Sequence, residues 1–320
     1  MICWGVIGCG AVTEKKSTPS YQKVDGFRVD ALYSRSFEKA KEYALRFDIP
    51  KVYEDVDELI NDENIDAIYI ATPPDSHKKY ALKVANAGKI CCIEKPMAVS
   101  YDECVEIEEA FEKVSISLFV SYYRRSLPRF LKVKSSIESG KIGDIRHVHW
   151  HLHKPANALD KSNTYNWRTD SNVAKGGYFD DVGSHGLDLL NFMLGDIVEA
   201  KGIAVNQQNL YSSYDNVTAC WLHPAGVTGS GSWNFGSYKR EDIVTIYGTL
   251  GKIEFSALDE NPIILENKDG KESLFIENPE NIQLNHVQNM FDYLTKGKPH
   301  PSTGKSAMHT SWVMDEILKS

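Results

Sequence analysis

The 320-residue sequence predicts an α/β fold. A doubly wound parallel sheet occupies the first third, and an α+β region with an open, mainly antiparallel sheet follows. Three observations carry this expectation. Short apolar runs alternate with helix-like stretches up to about Tyr123. A glycine pair, Gly8 and Gly10, closes the first apolar run. From Val198 onward most segments are strand-like and separated by polar turns. Strands alternating with helices imply a parallel sheet covered on both faces. Successive strands joined by polar turns imply an antiparallel sheet with one solvated face.

The elements follow in order. "ICWGVIG", "FRVDALYS", "IDAIYIATP" and "KICCIEKP" are strand candidates, with helix-like stretches at Glu14 to Lys23, Ser36 to Phe47 and Ser76 to Ala87. In "SFEKAKEYALRF", Phe37, Ala40, Ala44 and Phe47 recur at helical spacing, and Ser36 and Asp75 stand where an N-cap belongs. A helix from Tyr101 to Val114 leads to the strand candidate "SLFVSYY". "RFLKVKSSIESGKIGDIRHVHWHLH" reads as helix, glycine-containing turn and long strand. Five strand-like segments lie beyond Val198: "AKGIAVNQ", "NVTACWLHP", "GVTGSGSWNF", "DIVTIYGTLGKIEFS" and "PIILENKDG". A last helix, Lys305 to Leu318, is expected to pack back on the first domain. The domains are then 1–122, 123–300 and the terminal helix 301–320.

Composition narrows the class. A net charge of −8 is the opposite of the basic face a nucleic-acid binder needs. No run of about 18 apolar residues is present, so a membrane span is not expected. The chain reads as a strand within a few residues of Met1, which leaves no room for a signal peptide, and a cytoplasmic protein is expected. None of the six cysteines has metal-ligand spacing, and they read as reduced residues, mostly in apolar strands.

The glycine pair suits a nucleotide-binding turn. Gly8 permits the tight bend, and Gly10 lets a pyrophosphate approach the backbone. Ala11 and Val12 continue the turn beside the cofactor, and the helix that follows turns its N-terminus to the anion. Thr13 stands where a third glycine would assist helix–strand packing. Alone, the turn fits an ordinary strand-to-helix loop as well; the surrounding strand–helix alternation favours the nucleotide. Ribose is read near the end of the second strand, where Ser34 and Arg35 stand and no carboxylate does. Asp30 lies earlier, inside the strand. A carboxylate repels a 2′-phosphate whereas arginine pairs with it, so NADP is favoured over NAD.

Two further clusters look chemical. "ICCIEKPMA" sets Glu94, Lys95 and Pro96 at the end of a buried strand, where open parallel sheets bind ligands. In "GGYFDDVGSHGLDLLNFMLG", a helix from about Val182 places Asp181, His185 and Asp188 on one face. A histidine among such apolar positions is as often a satisfied core residue; the carboxylates and the glycines before them shift this one toward function. No third set of metal ligands has plausible spacing, so no metal is expected. "NTYNWRTD" adds Trp167 and Arg168 in a polar loop.

Together, "GVIGCGAV", "IATPPDSHKKYALKVANAGKICCIEKPMA" and "GGYFDDVGSHGLDLLNFMLG" resemble the glucose–fructose oxidoreductase / inositol dehydrogenase / MocA family, in the same order and over nearly the whole chain. The resemblance implies an N-terminal Rossmann domain and a C-terminal domain whose exposed sheet face forms a homodimer or homotetramer. It makes Lys95 the E-K-P lysine, and Asp181 and His185 the D-x-G-x-H pair. It also makes Thr72, Pro73, Pro74 and His77 a cofactor loop, and sets Trp167 and Arg168 beside the cofactor. The expected reaction is hydride transfer between NADP or NAD and a carbinol or carbonyl carbon of a sugar, polyol or related small hydroxylated substrate. His185 would move the proton, Lys95 would stabilise developing alkoxide, and Asp181 would orient substrate or Lys95. Two other classes stay open. One is an NAD(P)-dependent glycosidase, which shows no net cofactor turnover. The other is a non-catalytic nucleotide-binding sensor, for which Lys95 and His185 together are unnecessary.

Overall fold

The computed structural model describes residues 1–162 and 164–319. They form two compact units. The first comprises Met1–Leu127 and Pro279–Met308, the second Pro128–Asn278 and His309–Ser320. The chain thus returns to the first unit at Pro279, earlier than the sequence division at 301 places it.

In the first unit, β1 (Ile2–Ile7), β2 (Phe27–Tyr33), β3 (Lys51–Tyr53), β4 (Ala67–Ile70), β5 (Ile90–Ile93) and β6 (Leu118–Val120) form one parallel sheet of order β3-β2-β1-β4-β5-β6. The order reverses between β1 and β4, which creates a crevice at their carboxyl ends. Helices α1 (Thr18–Lys23), α2 (Phe37–Arg46), α3 (Val56–Asn61), α4 (His77–Asn86) and α5 (Tyr101–Val114) connect the strands. Two apolar cores form, one around Ile68, Ile93 and Ile107 and one around Trp4, Tyr21 and Phe27. Ser36 and Ser100 cap α2 and α5 through Lys39 N and Glu103 N. Asp75 is not the cap of α4: a short 3-10 turn, Pro74–Ser76, precedes it, and Ser76 holds the cap position without a side-chain bond.

The first helix differs most from expectation. It opens at Ala11 and passes through a π-helical turn, Thr13–Ser17, before α1 begins. Pro19 lies just inside α1; it lacks an N–H, and its ring crowds the carbonyl four residues back. A widened turn accommodates it.

The second unit starts with α6 (Pro128–Glu138) and β7 (Ile145–His153). After α7 (Ser184–Leu194) come β8 (Glu199–Val205), β9 (Asn216–Leu222), β10 (Thr228–Asn234), β11 (Glu241–Gly248), β12 (Gly251–Phe255), β13 (Ile263–Asn267) and β14 (Gly270–Leu274). The sheet order is β14-β13-β12-β11-β7-β10-β9-β8. Among the described residues of this sheet only the β7–β10 pair is parallel, so the mainly antiparallel expectation holds. Val148, Trp150 and Leu152 of β7 are fully buried, while His147, His149, His151 and His153 point to the other face. A Cβ at Gly186 would stand 2.2 Å from Trp150, so the missing side chain is what lets α7 lie against the sheet.

Helix α8 (Leu284–Lys296) belongs to the first unit, where Val287 and Met290 join the core and Phe291 meets Phe27 edge-on at 5.5 Å. The last helix, α9 (Gly304–Leu318), gives Gly304–Met308 to the first unit and the rest to the second. Among the described residues no helix is long and apolar enough to cross a membrane. All six cysteines are free; Cys9, Cys91, Cys92 and Cys104 are buried, but Cys220 is exposed on β9.

Candidate active site

The carboxyl ends of the parallel strands are drawn level by the ladder itself. Gly8 N donates to Tyr33 O (2.8 Å), Ala71 N to Ile7 O (2.9 Å), Glu94 N to Ile70 O (2.8 Å) and Ser121 N to Ile93 O (2.9 Å). Five predicted groups thereby share one edge of the sheet: the glycine turn, Ser34–Arg35, Thr72–Pro74, Glu94 and Lys95. Gly8 has φ +107°, and a Cβ there would lie 2.7 Å from Ala71 O. Any side chain would be strained and would collide with the backbone. Around Gly10 a Cβ would meet nothing within 4 Å. That open side, followed by the helix start at Ala11 and Val12, leaves room for an anion to approach the backbone. Thr13 is not a spoiled glycine: it is fully buried, and its hydroxyl donates to Gly10 O at 2.7 Å. It clamps the turn from beneath.

Ser34 and the exposed Arg35 follow β2 directly, beside the Gly8–Tyr33 bond. Asp30 is buried within β2 and pairs with Arg28 at 2.5 Å, so it is committed elsewhere.

His77 and Glu94 turn out to be internal braces. His77 is fully buried; its Nδ1 lies 3.0 Å from Pro96 O and its Nε2 2.8 Å from Thr72 O. The ring ties the Thr72–Pro74 loop to the Lys95–Pro96 loop, and burial pushes its pKa down despite those carbonyls. The carboxylate of Glu94 accepts from Tyr69 (2.6 Å) and Gln283 (3.0 Å), and Tyr69 in turn meets Ser17 at 2.7 Å. The π-turn, β4, β5 and the segment before α8 are thus joined beneath Lys95.

In the second unit, Arg168 Nε donates to Asp181 Oδ2 at 2.6 Å, and the guanidinium lies 4.3 Å from the Trp167 ring centroid. Two groups that the sequence keeps apart, the W-R pair and the aspartate, are one cluster. Asp181 sits in a second π-helical turn, Phe179–Gly183, and the buried His185 in the first turn of α7. The α-helix therefore begins at Ser184 rather than near Val182. Asp188 is fully buried and accepts from Thr310 at 3.2 Å, so it serves helix packing.

Several residues were not foreseen. Asp180 accepts from Gly176 N (2.8 Å), and burial, together with Asp315 and Asp181, pushes its pKa up to about 7. Tyr178 donates to Asp160 at 2.5 Å, and burial and that carboxylate push the phenol to about 12. Lys154 stands 3.6 Å from the Tyr178 ring centroid, and burial lowers its pKa. Lys16, Tyr123 and Arg124 gather in the first unit. The "YYRRS" run just past a strand was the available signal for these last residues. Among the described residues no cluster of three or more His, Cys, Asp or Glu is arranged to hold a metal.

The fold agrees with what known proteins show. Residues 2–122 match the oxidoreductase family described as an NAD-binding Rossmann fold, and residues 130–254 match the GFO/IDH/MocA C-terminal domain. The chain belongs to the GFO/IDH/MocA oxidoreductase family. Oxidoreductase P35 of Formosa agariphila is 33% identical over 316 residues, 98% of this chain and 97% of that one. The bovine (Bos taurus) trans-1,2-dihydrobenzene-1,2-diol dehydrogenase is 28% identical over 78% of this chain and 72% of its own. Levoglucosan dehydrogenase, solved with NADH and levoglucosan, shares the fold at a TM-score of 0.90 with 20% identity, covering 100% of this chain and 96% of that one. As a member of this family the chain is an NAD(P)-binding oxidoreductase with sugar and diol dehydrogenases among its relatives.

Proposed function

We propose that this oxidoreductase moves a hydride between a nicotinamide nucleotide and the carbinol or carbonyl carbon of a sugar, polyol or related hydroxylated molecule. The observation that carries this reading is the convergence of the glycine turn and Lys95 on one sheet edge, with Glu94 and His77 bracing Lys95 from below. Bound nicotinamide supplies the hydride acceptor or donor. Gly8, Gly10, Ala11, Val12 and Thr72–Pro74 hold the nucleotide. Lys95 stabilises developing negative charge on the substrate oxygen, and His185 takes or returns its proton. Asp181, oriented by Arg168, positions substrate hydroxyls. A panel of sugars, polyols and diols, read at the nicotinamide absorbance band, tests the reading. Net cofactor conversion supports it; tightly held cofactor without net conversion, or no conversion across the panel, overturns it.

Cofactor choice rests on Ser34 and Arg35, which favour a 2′-phosphate. Arg35→Ala is expected to weaken NADP selectively, by about 1–3 kcal/mol, because a charge-assisted contact is removed. Titration of both dinucleotides against wild type and variant is the measurement. Equal or tighter NAD binding by the wild type sinks the preference.

The outward face of the second unit's sheet supports self-association as a dimer or tetramer. Ile203 is 68% exposed and Val205 42% on β8, beside the exposed Cys220 of β9. Isolated monomers rarely leave such a strand face bare. Light scattering at working concentration is expected to give a multiple of the 36.0 kDa chain mass. A monomer mass refutes it.

A further inference from the structure

Lys16 and Arg124 form a positive site in the first unit. Lys16 projects from the π-helical turn and its Nζ stands 3.4 Å from the hydroxyl of Tyr123. Tyr123 and Arg124 open the 3-10 turn that follows β6. The ring of Tyr123 lies 5.5 Å from Lys16 Nζ and 5.5 Å from the Arg124 guanidinium carbon. Arg124 is only 9% exposed, and its Nε finds no hydrogen-bond acceptor.

The nearby charges do not neutralise this pair. Glu14, on the same turn as Lys16, is taken by Arg46 at 2.5 Å. The carboxylate of Glu94 is committed to Tyr69 and Gln283. Arg125, next in sequence, donates to Pro301 O at 2.9 Å. Burial by itself would raise the Tyr123 pKa, yet Arg124, Lys16 and Lys95 outweigh it and hold the phenol below its usual value. The potential here is therefore positive. A mostly buried guanidinium whose Nε has no acceptor carries a penalty that an anion would offset.

Position indicates which anion. Tyr123 stands three residues past β6, and β6 pairs with β5, which ends at Ile93, two residues before Lys95. The phosphate turn leaves β1, three strands away, or about 14 Å at ordinary strand spacing. Arg124 thus lies at the Lys95 end of the sheet edge, and Lys16 reaches the Tyr123 hydroxyl from the helix that follows the glycine turn. A planar guanidinium fork with one ammonium suits a carboxylate. We propose that Lys16 and Arg124 bind the carboxylate of the substrate, so that the enzyme prefers a sugar acid, a uronate or aldonate, over the neutral sugar. This rests on the hydride-transfer reading above.

The test is calorimetric binding to the full-length protein saturated with its dinucleotide. The probes are D-glucuronate, D-galacturonate and D-gluconate, each beside its neutral parent, with D-glucose 6-phosphate as a phosphate control. At least one acid is expected to bind about 10- to 100-fold tighter than its parent. Lys16→Gln and Arg124→Gln should each collapse most of that ratio, and Arg124→Lys should restore part of it. Lys16 is half-buried, so Lys16→Gln keeps the test open if Arg124→Gln fails to fold. Acids binding no tighter than their parents, or a ratio indifferent to both variants, overturns the proposal. Tighter binding of glucose 6-phosphate overturns the carboxylate assignment. Weakened dinucleotide binding with an unchanged ratio gives the cations to the cofactor instead. Turnover separates the two readings. Equal oxidation of acid and neutral sugar leaves hydride transfer standing and removes this proposal. Acid binding without any nicotinamide conversion does the reverse.

Discussion

Replacing Lys95 or His185 by alanine is expected to lower kcat by about 10²–10⁴, the range of general acid–base and electrostatic catalysis, with dinucleotide affinity nearly unchanged. The substrate hydroxyl must lose its proton as the hydride leaves. An imidazole titrates near neutral pH and suits that transfer. A lysine ammonium lowers the energy of the alkoxide that develops before the transfer completes. On the proposed mechanism the double variant should lose less than the product of the two single losses, because groups that act as a unit are not additive. Steady-state kcat beside a cofactor titration for each variant is the measurement. Near-normal kcat in His185→Ala removes it as proton carrier. Attention would then pass to the exposed Tyr165, since the Tyr178 hydroxyl is already committed to Asp160.

Asp180→Asn is expected to stabilise the protein at about pH 8 by on the order of 1–3 kcal/mol, and hardly at all near pH 4. Burial beside Asp315 and Asp181 raises the Asp180 pKa from the ordinary 3.8 to about 7. The folded state therefore holds this proton more tightly than the unfolded chain does. As pH rises from about 4 to about 7, the unfolded carboxyl has already ionised while the folded one has not. Stability falls across that window and levels off above it. Asparagine keeps an oxygen for the Gly176 N–H and removes the ionisation. Urea unfolding of both proteins at the two pH values is the check. The same stability difference at both values would show that Asp180 does not titrate in this window.

Much of the fold was legible because it is written over short stretches. Short continuous apolar runs marked β1, β2, β4, β5 and β6. Helical periodicity and serine caps marked α2 and α5, and the latter spans Tyr101–Val114 as expected. The glycine pair marked the turn because a left-handed φ and an unobstructed backbone are demands on single residues. Where no local pattern exists, the elements were missed. β3 has three residues and α3 six, too few to display a period. The helix read over Glu14 to Lys23 runs through Pro19, but its earlier start and its widened turn at Thr13–Ser17 leave no periodic signature.

The sequence by itself determined the fold class, the glycine turn and the identity of the residues that look chemical. It did so because backbone preference and hydrophobic periodicity act between near neighbours. Only the tertiary structure decided which of those residues meet. Lys16 reaches Tyr123 across 107 positions, and Gln283 reaches Glu94 across 189. Arg168 meets Asp181 because Gly177, at φ +64°, bends the chain between them. The internal bonds of His77 to the Thr72 and Pro96 carbonyls, and of Glu94 to Tyr69 and Gln283, were likewise visible only in the fold. Crossover connections carry strand ends that are distant in sequence to one edge of the sheet, and desolvation there depends on everything packed around a group. Neither quantity is a property of a local stretch of chain.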